Sequence, residues 1–486
     1  MNRSTLSLIG VTAALAAVTG AAALTGAGTP QAATAATAAR LPVQRSALIC
    51  PAPSNSDFAT TTYTAFTPKG DTTAKNGSAQ LLPAGGKSTK AVAPLSEPGK
   101  PVTASTNRTD APALIGTASG GLAPGWSVQQ TTVIDTGPGR AVLGAACTAP
   151  DSEFWFPGVS TSATRTDYVH LTNPDDTAAV VDLQLYGPNG ALKTASSDGI
   201  TVPPKSTVAV LLSTLSTDRV GDLALHVTAR TGRVGAAVLA SDAKAGGDWL
   251  APSADAANSV VLPGIPADAT SVRLVAYATG SNDADLKVQL ATASGDITPA
   301  GHETMHVKSG MTTAVDLGAL TQGEAGSLLL TPTDAQGAAP VVAALEITRG
   351  KGASQETAFI PATAAVGSRA TVADNRSKAS TLSLVAPTRT ATVKITSSAG
   401  TGGGSPVTKT VTVKAGTTMA VQPSAPTSGK GAFAVTVERV SGGPVYASRE
   451  LALPLNGVPM FTIQSLPDDR GTVEVPQSEQ DLGMLN

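Results

Sequence analysis

Apolar and polar residues alternate with a period of two through most of this 486-residue chain. Tyr168-Val-His-Leu-Thr172 runs into the turn Asn173-Pro-Asp-Asp176 and out into Ala179-Val-Val-Asp-Leu-Gln-Leu-Tyr186. The same arrangement returns as Val272-Arg-Leu-Val-Ala-Tyr277 with Leu286-Lys-Val-Gln-Leu290, and as Leu382-Ser-Leu-Val-Ala386 with Ala391-Thr-Val-Lys-Ile-Thr396. Such alternation between Asn/Asp/Gly turns predicts half-buried antiparallel strands.

One block recurs three times: Ile200-Thr-Val-Pro-Pro-Lys-Ser-Thr-Val-Ala-Val-Leu211, Met305-His-Val-Lys-Ser-Gly-Met-Thr-Thr-Ala-Val-Asp-Leu317 and Val411-Thr-Val-Lys-Ala-Gly-Thr-Thr-Met-Ala-Val421. Its central valines, Val202, Val307 and Val413, stand 105 and 106 residues apart, the length of a small β-sandwich. Each repeat opens on an apolar strand ending in proline (Phe154–Pro157, Val260–Pro263, Ala358–Pro361) and closes on a hairpin (Leu223–Val238, Leu328–Leu345, Phe433–Tyr446). The expected fold is therefore all-β: tandem immunoglobulin-like sandwich modules, about three repeats of ~105 residues after an irregular N-terminal β region. The repeats are placed at 153–258, 259–356 and 357–467, with a polar tail over 468–486 holding one edge strand at Thr472–Val475.

The N-terminal region, 41–152, is less regular. Strands are expected at Thr60–Phe66, from Ala113, at Ser127–Ile134 and at Arg140–Ala146, with a long exposed loop over 69–112. Within that loop Leu82–Val92 reads as a degenerate fourth copy of the block. Before it, residues 1–24 place Arg3 ahead of the apolar run Leu6–Leu24, and 25–40 form an Ala/Thr-rich linker with Ala-x-Ala sites. This is the layout of a secretory signal. Nineteen residues approach the roughly 20 that span a bilayer, so a retained anchor is the alternative; Ala, Gly and Thr favour cleavage. Either way the rest of the chain is expected outside the cytoplasm. There the only two cysteines, Cys50 and Cys147, are expected to form a disulfide.

Composition narrows the partners. Charged residues make up 14% and the net charge is −2, which provides no basic field for nucleic acid. Aromatics at 3% leave few stacking platforms. A membrane partner is expected only through the N-terminal segment.

Several motifs carry possible chemistry. His302-Glu-Thr-Met-His306 matches the H-E-x-x-H zinc pattern, but that pattern needs a helix. The repeat puts Met305–Lys308 on a strand, where the two histidines would stand about 13 Å apart, beyond a shared zinc. Gly85-Gly-Lys-Ser-Thr89 resembles the end of a P-loop, yet the first glycine of that motif would fall on Leu81, so a plain loop is expected. His170 and His226 lie at polar-facing strand positions without a nucleophile elbow. Asp175-Asp176 and Asn282-Asp283 with Asp285 read as Asx turns rather than calcium ligands. Trp155, where the other repeats carry Val261 and Phe359, reads as a core or inter-domain residue. No catalytic, cofactor-binding or metal-binding residue is assigned, and no cofactor is expected.

The export signal together with Leu41-Pro-Val-Gln-Arg-Ser-Ala-Leu-Ile-Cys-Pro-Ala-Pro53, Thr61-Thr-Tyr-Thr-Ala-Phe-Thr-Pro68, Glu153-Phe-Trp-Phe-Pro-Gly158 and Leu171-Thr-Asn-Pro174 resembles a secreted actinobacterial family, domain of unknown function fifty-seven nineteen. The resemblance implies export and a β-rich fold and supplies no activity. The reading at this level is a non-catalytic exported cell-envelope protein that presents β-sandwich modules for binding or scaffolding, with a cell-envelope protein or cell-wall glycan as partner. A glycan or ligand receptor is the alternative, and a secreted hydrolase the third.

Overall fold

The computed structural model describes residues 39–70, 76–85, 88, 90–137 and 139–475. The N-terminal apolar segment, most of the Ala/Thr linker and much of the P-loop-like stretch lie outside the described residues. Strands dominate what is described; helical turns are limited to the short 3-10 pieces Leu212–Thr214 and Gly352–Ser354. Among the described residues no helix is long and apolar enough to cross a membrane.

The body spanning Pro42–Thr472 contains four antiparallel sandwiches, and all four share one strand order. In the second sandwich the eight principal strands are Glu153–Val159, Arg165–Thr172, Ala179–Gly187, Ile200–Val202, Thr207–Leu211, Leu223–Thr231, Gly235–Asp242 and Gly246–Leu250. The first strand pairs with the sixth, the sixth with the third and the third with the fourth, making one sheet. In the other sheet the fifth strand pairs with the second, the second with the seventh and the seventh with the eighth. The central second–fifth and third–sixth pairs are those of immunoglobulin sandwiches, with the outer strands placed differently. First strands begin at Arg45, Glu153, Val260 and Arg369, so successive units are offset by 108, 107 and 109 residues.

The recurring block is the fourth and fifth strands, where the chain leaves one sheet for the other. Val202, Val307 and Val413 end the fourth strand fully buried, which explains why the spacing is kept. The N-terminal region is thus a complete sandwich rather than an irregular one. Its copy of the block is Val92–Leu95 and Val102–Thr106, with Leu95 in the valine position, not Leu82–Val92; Gly77–Pro83 is its third strand. The expected loop over 69–112 therefore contains three strands, disguised because Ala, Pro and Ser occupy them. Cys50, ending the first strand, is disulfide-bonded to Cys147, just past the eighth, with Cα atoms 4.4 Å apart.

Ala358-Phe-Ile-Pro361 does not open the last sandwich. It belongs to the eighth strand of the third sandwich, Glu356–Pro361, paired with Val341–Arg349; the fourth sandwich opens at Arg369–Asn375. It reads like an opener because it is buried from both sides along its whole length. Strand Gly246–Leu250 lies against Ala141–Ala146 on one flank and Glu356–Pro361 on the other, and Phe461–Ser465 closes the set by touching both Glu356–Pro361 and Ala141–Ala146. The four sandwiches form a closed ring with their eighth strands around its axis.

Each eighth strand sends a large apolar side chain into the preceding unit. Trp249 packs with Ile134, Ala141 and Leu143 of the first sandwich. Phe359 joins the core of the second and Phe461 that of the third, while Val142 meets Val458 and Met460 of the fourth. Ionic contacts accompany the apolar ones. Arg165 lies 2.9 Å from Glu346 and stacks over Phe359; Arg349 lies 2.7 Å from Glu450 and stacks over Phe461. The closing junction adds Phe66 against Ala373 and Ala434, and Thr131 Oγ1 donating to Asp374 Oδ2 at 2.8 Å.

Ala39–Pro42 and Thr472–Val475 pair as a two-stranded sheet with Arg40 Nε 3.5 Å from Glu474 Oε1. The expected edge strand at 472–475 thus pairs with a strand that begins in the last two residues of the segment read as linker. Asp469, in the segment read as a polar tail, accepts from Arg369 Nε at 2.6 Å and Thr371 Oγ1 at 2.8 Å.

Candidate functional site

The axis of the ring is polar. Gly144 of the first sandwich, Asp248 of the second, Glu356 of the third and Thr462 with Gln464 of the fourth all lie on eighth strands. Asp248 is fully buried and ties three sandwiches together. Its Oδ1 accepts from the backbone N–H groups of Gly144 at 2.7 Å and Trp249 at 2.8 Å, and its Oδ2 from Thr462 Oγ1 at 2.6 Å. Gly144 is required here: a Cβ would sit 2.2 Å from Gln464 Nε2 and 2.4 Å from Thr462 Oγ1. Burial raises the Asp248 carboxyl well above the carboxylate range despite these donors. Glu356 is fully buried, and burial, with Asp248 nearby, pushes it up to about 9 against the opposing pull of the Val142 backbone and Arg140. It is a neutral acid at pH 7.

Immediately outside Glu356 the axis opens into a cleft of about 490 Å³. Its walls come from the connections between seventh and eighth strands of three sandwiches: Gly137, Gly139 and Arg140; Asp242 to Lys244 with Gly246; and Gly352, Ala353 and Gln355. Gly246 forms the contact with the axis, since a Cβ there would fall 2.7 Å from Glu356 Oε2, and its φ of +74° suits glycine. Arg140 comes from the first sandwich and donates through Nη2 to the Ala353 carbonyl of the third at 3.3 Å. Its Nε is buried without a protein partner. Lys244 stands exposed on the second wall. Asp242 is committed to its own turn, accepting from the N–H groups of Lys244 at 2.8 Å and Ala245 at 3.0 Å. The cleft exists only because the ring brings three distant turns together.

The residues singled out from sequence lie elsewhere. His302 precedes the strand Thr304–Val307 and His306 lies on it, with Nδ1 2.7 Å from Asp285 and Nε2 3.5 Å from Asp283. Asp175 is paired with Arg233 through two 3.1 Å hydrogen bonds, and Asp176 lies 3.5 Å from Lys205. His226 is stacked on Trp155 at 3.8 Å and bonded to Glu153 at 2.9 Å. Trp155 also stacks with Tyr277 at 5.1 Å, at the junction of the second and third sandwiches, as an inter-domain residue would. His170 is not a surface residue: its ring meets Trp249 edge-on at 5.1 Å where the first and second sandwiches join, and burial lowers it to about 4. Among the described residues no three His, Cys, Asp or Glu side chains are grouped as metal ligands.

The fold and cleft define a class: a closed ring of four like sandwiches with a composite polar opening on its axis. The chain belongs to a family described as Family of unknown function (DUF5719), whose model matches residues 102–424. The match runs from the fifth strand of the first sandwich to just past the fifth strand of the fourth, so it includes the second and third sandwiches whole. No curated protein is significantly similar to the chain.

Proposed function

We propose that this is an exported, non-catalytic binding protein of the cell envelope, in which the ring acts as one rigid body rather than as four flexibly linked modules. The observation that carries this is the composite cleft, walled by three sandwiches and backed by an axis they share. A surface assembled from distant segments on a closed scaffold suits recognition, because few groups need ordering on binding. The Cys50–Cys147 disulfide and the apolar segment Leu6–Leu24 support export. A receptor for a cell-wall glycan or other ligand is favoured over a protein scaffold, since the cleft is concave and of small-ligand size. The test is retention of the purified protein on cell-wall sacculi and on solubilised envelope proteins at low and moderate salt. Saturable retention on sacculi is expected; retention of one protein partner alone would turn the reading to a scaffold, and retention on neither would overturn it.

A further inference from the structure

We infer that the cleft at the mouth of the ring axis binds an anionic group, carboxylate or phosphate, carried on a sugar or polyol, with Arg140 and Lys244 as its two cationic walls. This deepens the receptor reading above and rests on it. The two cations come from different sandwiches and face one opening. The acidic groups nearby offset them only in part. Asp242 shares the second wall with Lys244 and balances one of the two positive charges, its Oδ1 accepting from two backbone N–H groups, while Glu356 is buried behind Gly246 and does not line the cleft, so the lining keeps a net positive charge.

Arg140 donates to the protein through Nη2, to the Ala353 carbonyl, and its guanidinium keeps its charge on the first wall of the cleft for an oxyanion. Much of the rest of the wall is glycine, with Ala243, Ala353 and Gln355 beside it. Gly137, Gly139, Gly246 and Gly352 all have positive φ and leave main chain accessible to a ligand. The cleft, about 490 Å³, is larger than a bare oxyanion needs, which is why the anion is assigned to a larger polyhydroxylated carrier.

The test is titration calorimetry on the full-length protein with four probes: inorganic phosphate, glycerol phosphate, glucuronate and glucose. The three anions are expected to bind saturably, more weakly as salt rises, with glycerol phosphate or glucuronate ahead of inorganic phosphate, and glucose not at all. Phosphate-bearing and carboxylate-bearing carriers are told apart by which of those two probes is tighter. Arg140→Gln and Lys244→Gln should each weaken anion binding about tenfold, as expected for loss of one charge-assisted contact, while Lys308→Gln, on an exposed edge, should not. Lys244 is exposed, so Lys244→Gln keeps the test valid if Arg140→Gln disturbs the junction; unchanged thermal unfolding certifies each variant. Glucose binding as well as the anions, or anions binding both variants as well as the parent, would overturn the inference. So would the absence of anion binding. If anions fail to bind while sacculi still retain the protein, the inference falls and the envelope-binding reading stands. If anions bind the parent but not the variants, and nothing of the envelope is retained, the reverse holds.

Discussion

Glu356 and Asp248 make the axis sensitive to pH at the level of single protons. A carboxyl that holds its proton more tightly when folded than when unfolded destabilises the fold as pH rises, because the folded state binds the extra proton. For Glu356 the window runs from its ordinary value of 4.5 to about 9. Below that window the group has no effect; across it, stability falls by up to about 1.4 kcal/mol per pH unit. Asp248 acts in the same direction. Glu356→Gln should therefore match the parent near pH 4 and gain on it steadily through pH 8, read from urea unfolding at several pH values. Parallel curves would show that Glu356 titrates normally. Gly144→Ala tests the same axis sterically: its new methyl would press on Gln464 and Thr462, and a loss of about 1–3 kcal/mol is expected in the same assay.

At the scale of elements, the disulfide and the eighth strands matter most. Replacing both Cys50 and Cys147 by Ser frees a 97-residue loop and should cost the protein about 2–5 kcal/mol, with reductant producing the same loss in the parent. Phe359→Ala should cost about 3–5 kcal/mol, because its ring is fully buried in the core of the neighbouring sandwich. Strand content was largely legible, since period-two alternation survives wherever one face is buried and the other wet. The block around Val202, Val307 and Val413 stood out because a strand that changes sheets must bury the same position each time. Two of the eighth strands, Gly246–Leu250 and Phe461–Ser465, escaped that reading, whereas Arg140–Ala146 and Ala358–Pro361 were read as strands. Gly246-Gly-Asp-Trp-Leu250 carries glycine and a carboxylate, which read as a connection, yet all but Gly246 are buried. Glu356 likewise sat at an apparent boundary between repeats. Polar residues at the axis lose their alternation signal because both faces of these strands are covered, and burial by a distant segment leaves no mark in local sequence. The cleft was illegible for the same reason: its three walls are over 100 residues apart from one to the next.

At the scale of the whole molecule, closure couples the four sandwiches. Each touches two neighbours, so none has a free end, and the first and fourth meet through Val142, Met460, Phe66 and the Thr131–Asp374 bond. Unfolding should therefore be one cooperative transition, since opening any unit exposes apolar surface on both flanks; two or more resolved calorimetric peaks would mark independent modules. The most direct test of closure is small-angle X-ray scattering from the protein in solution. A closed ring spanning 42–472 predicts a radius of gyration near the compact-globule value, about 22 Å, and a distance distribution that falls to zero without a long tail. A much larger radius with an extended tail would describe sandwiches strung out in a line, and would contradict the ring, its axis and the cleft together.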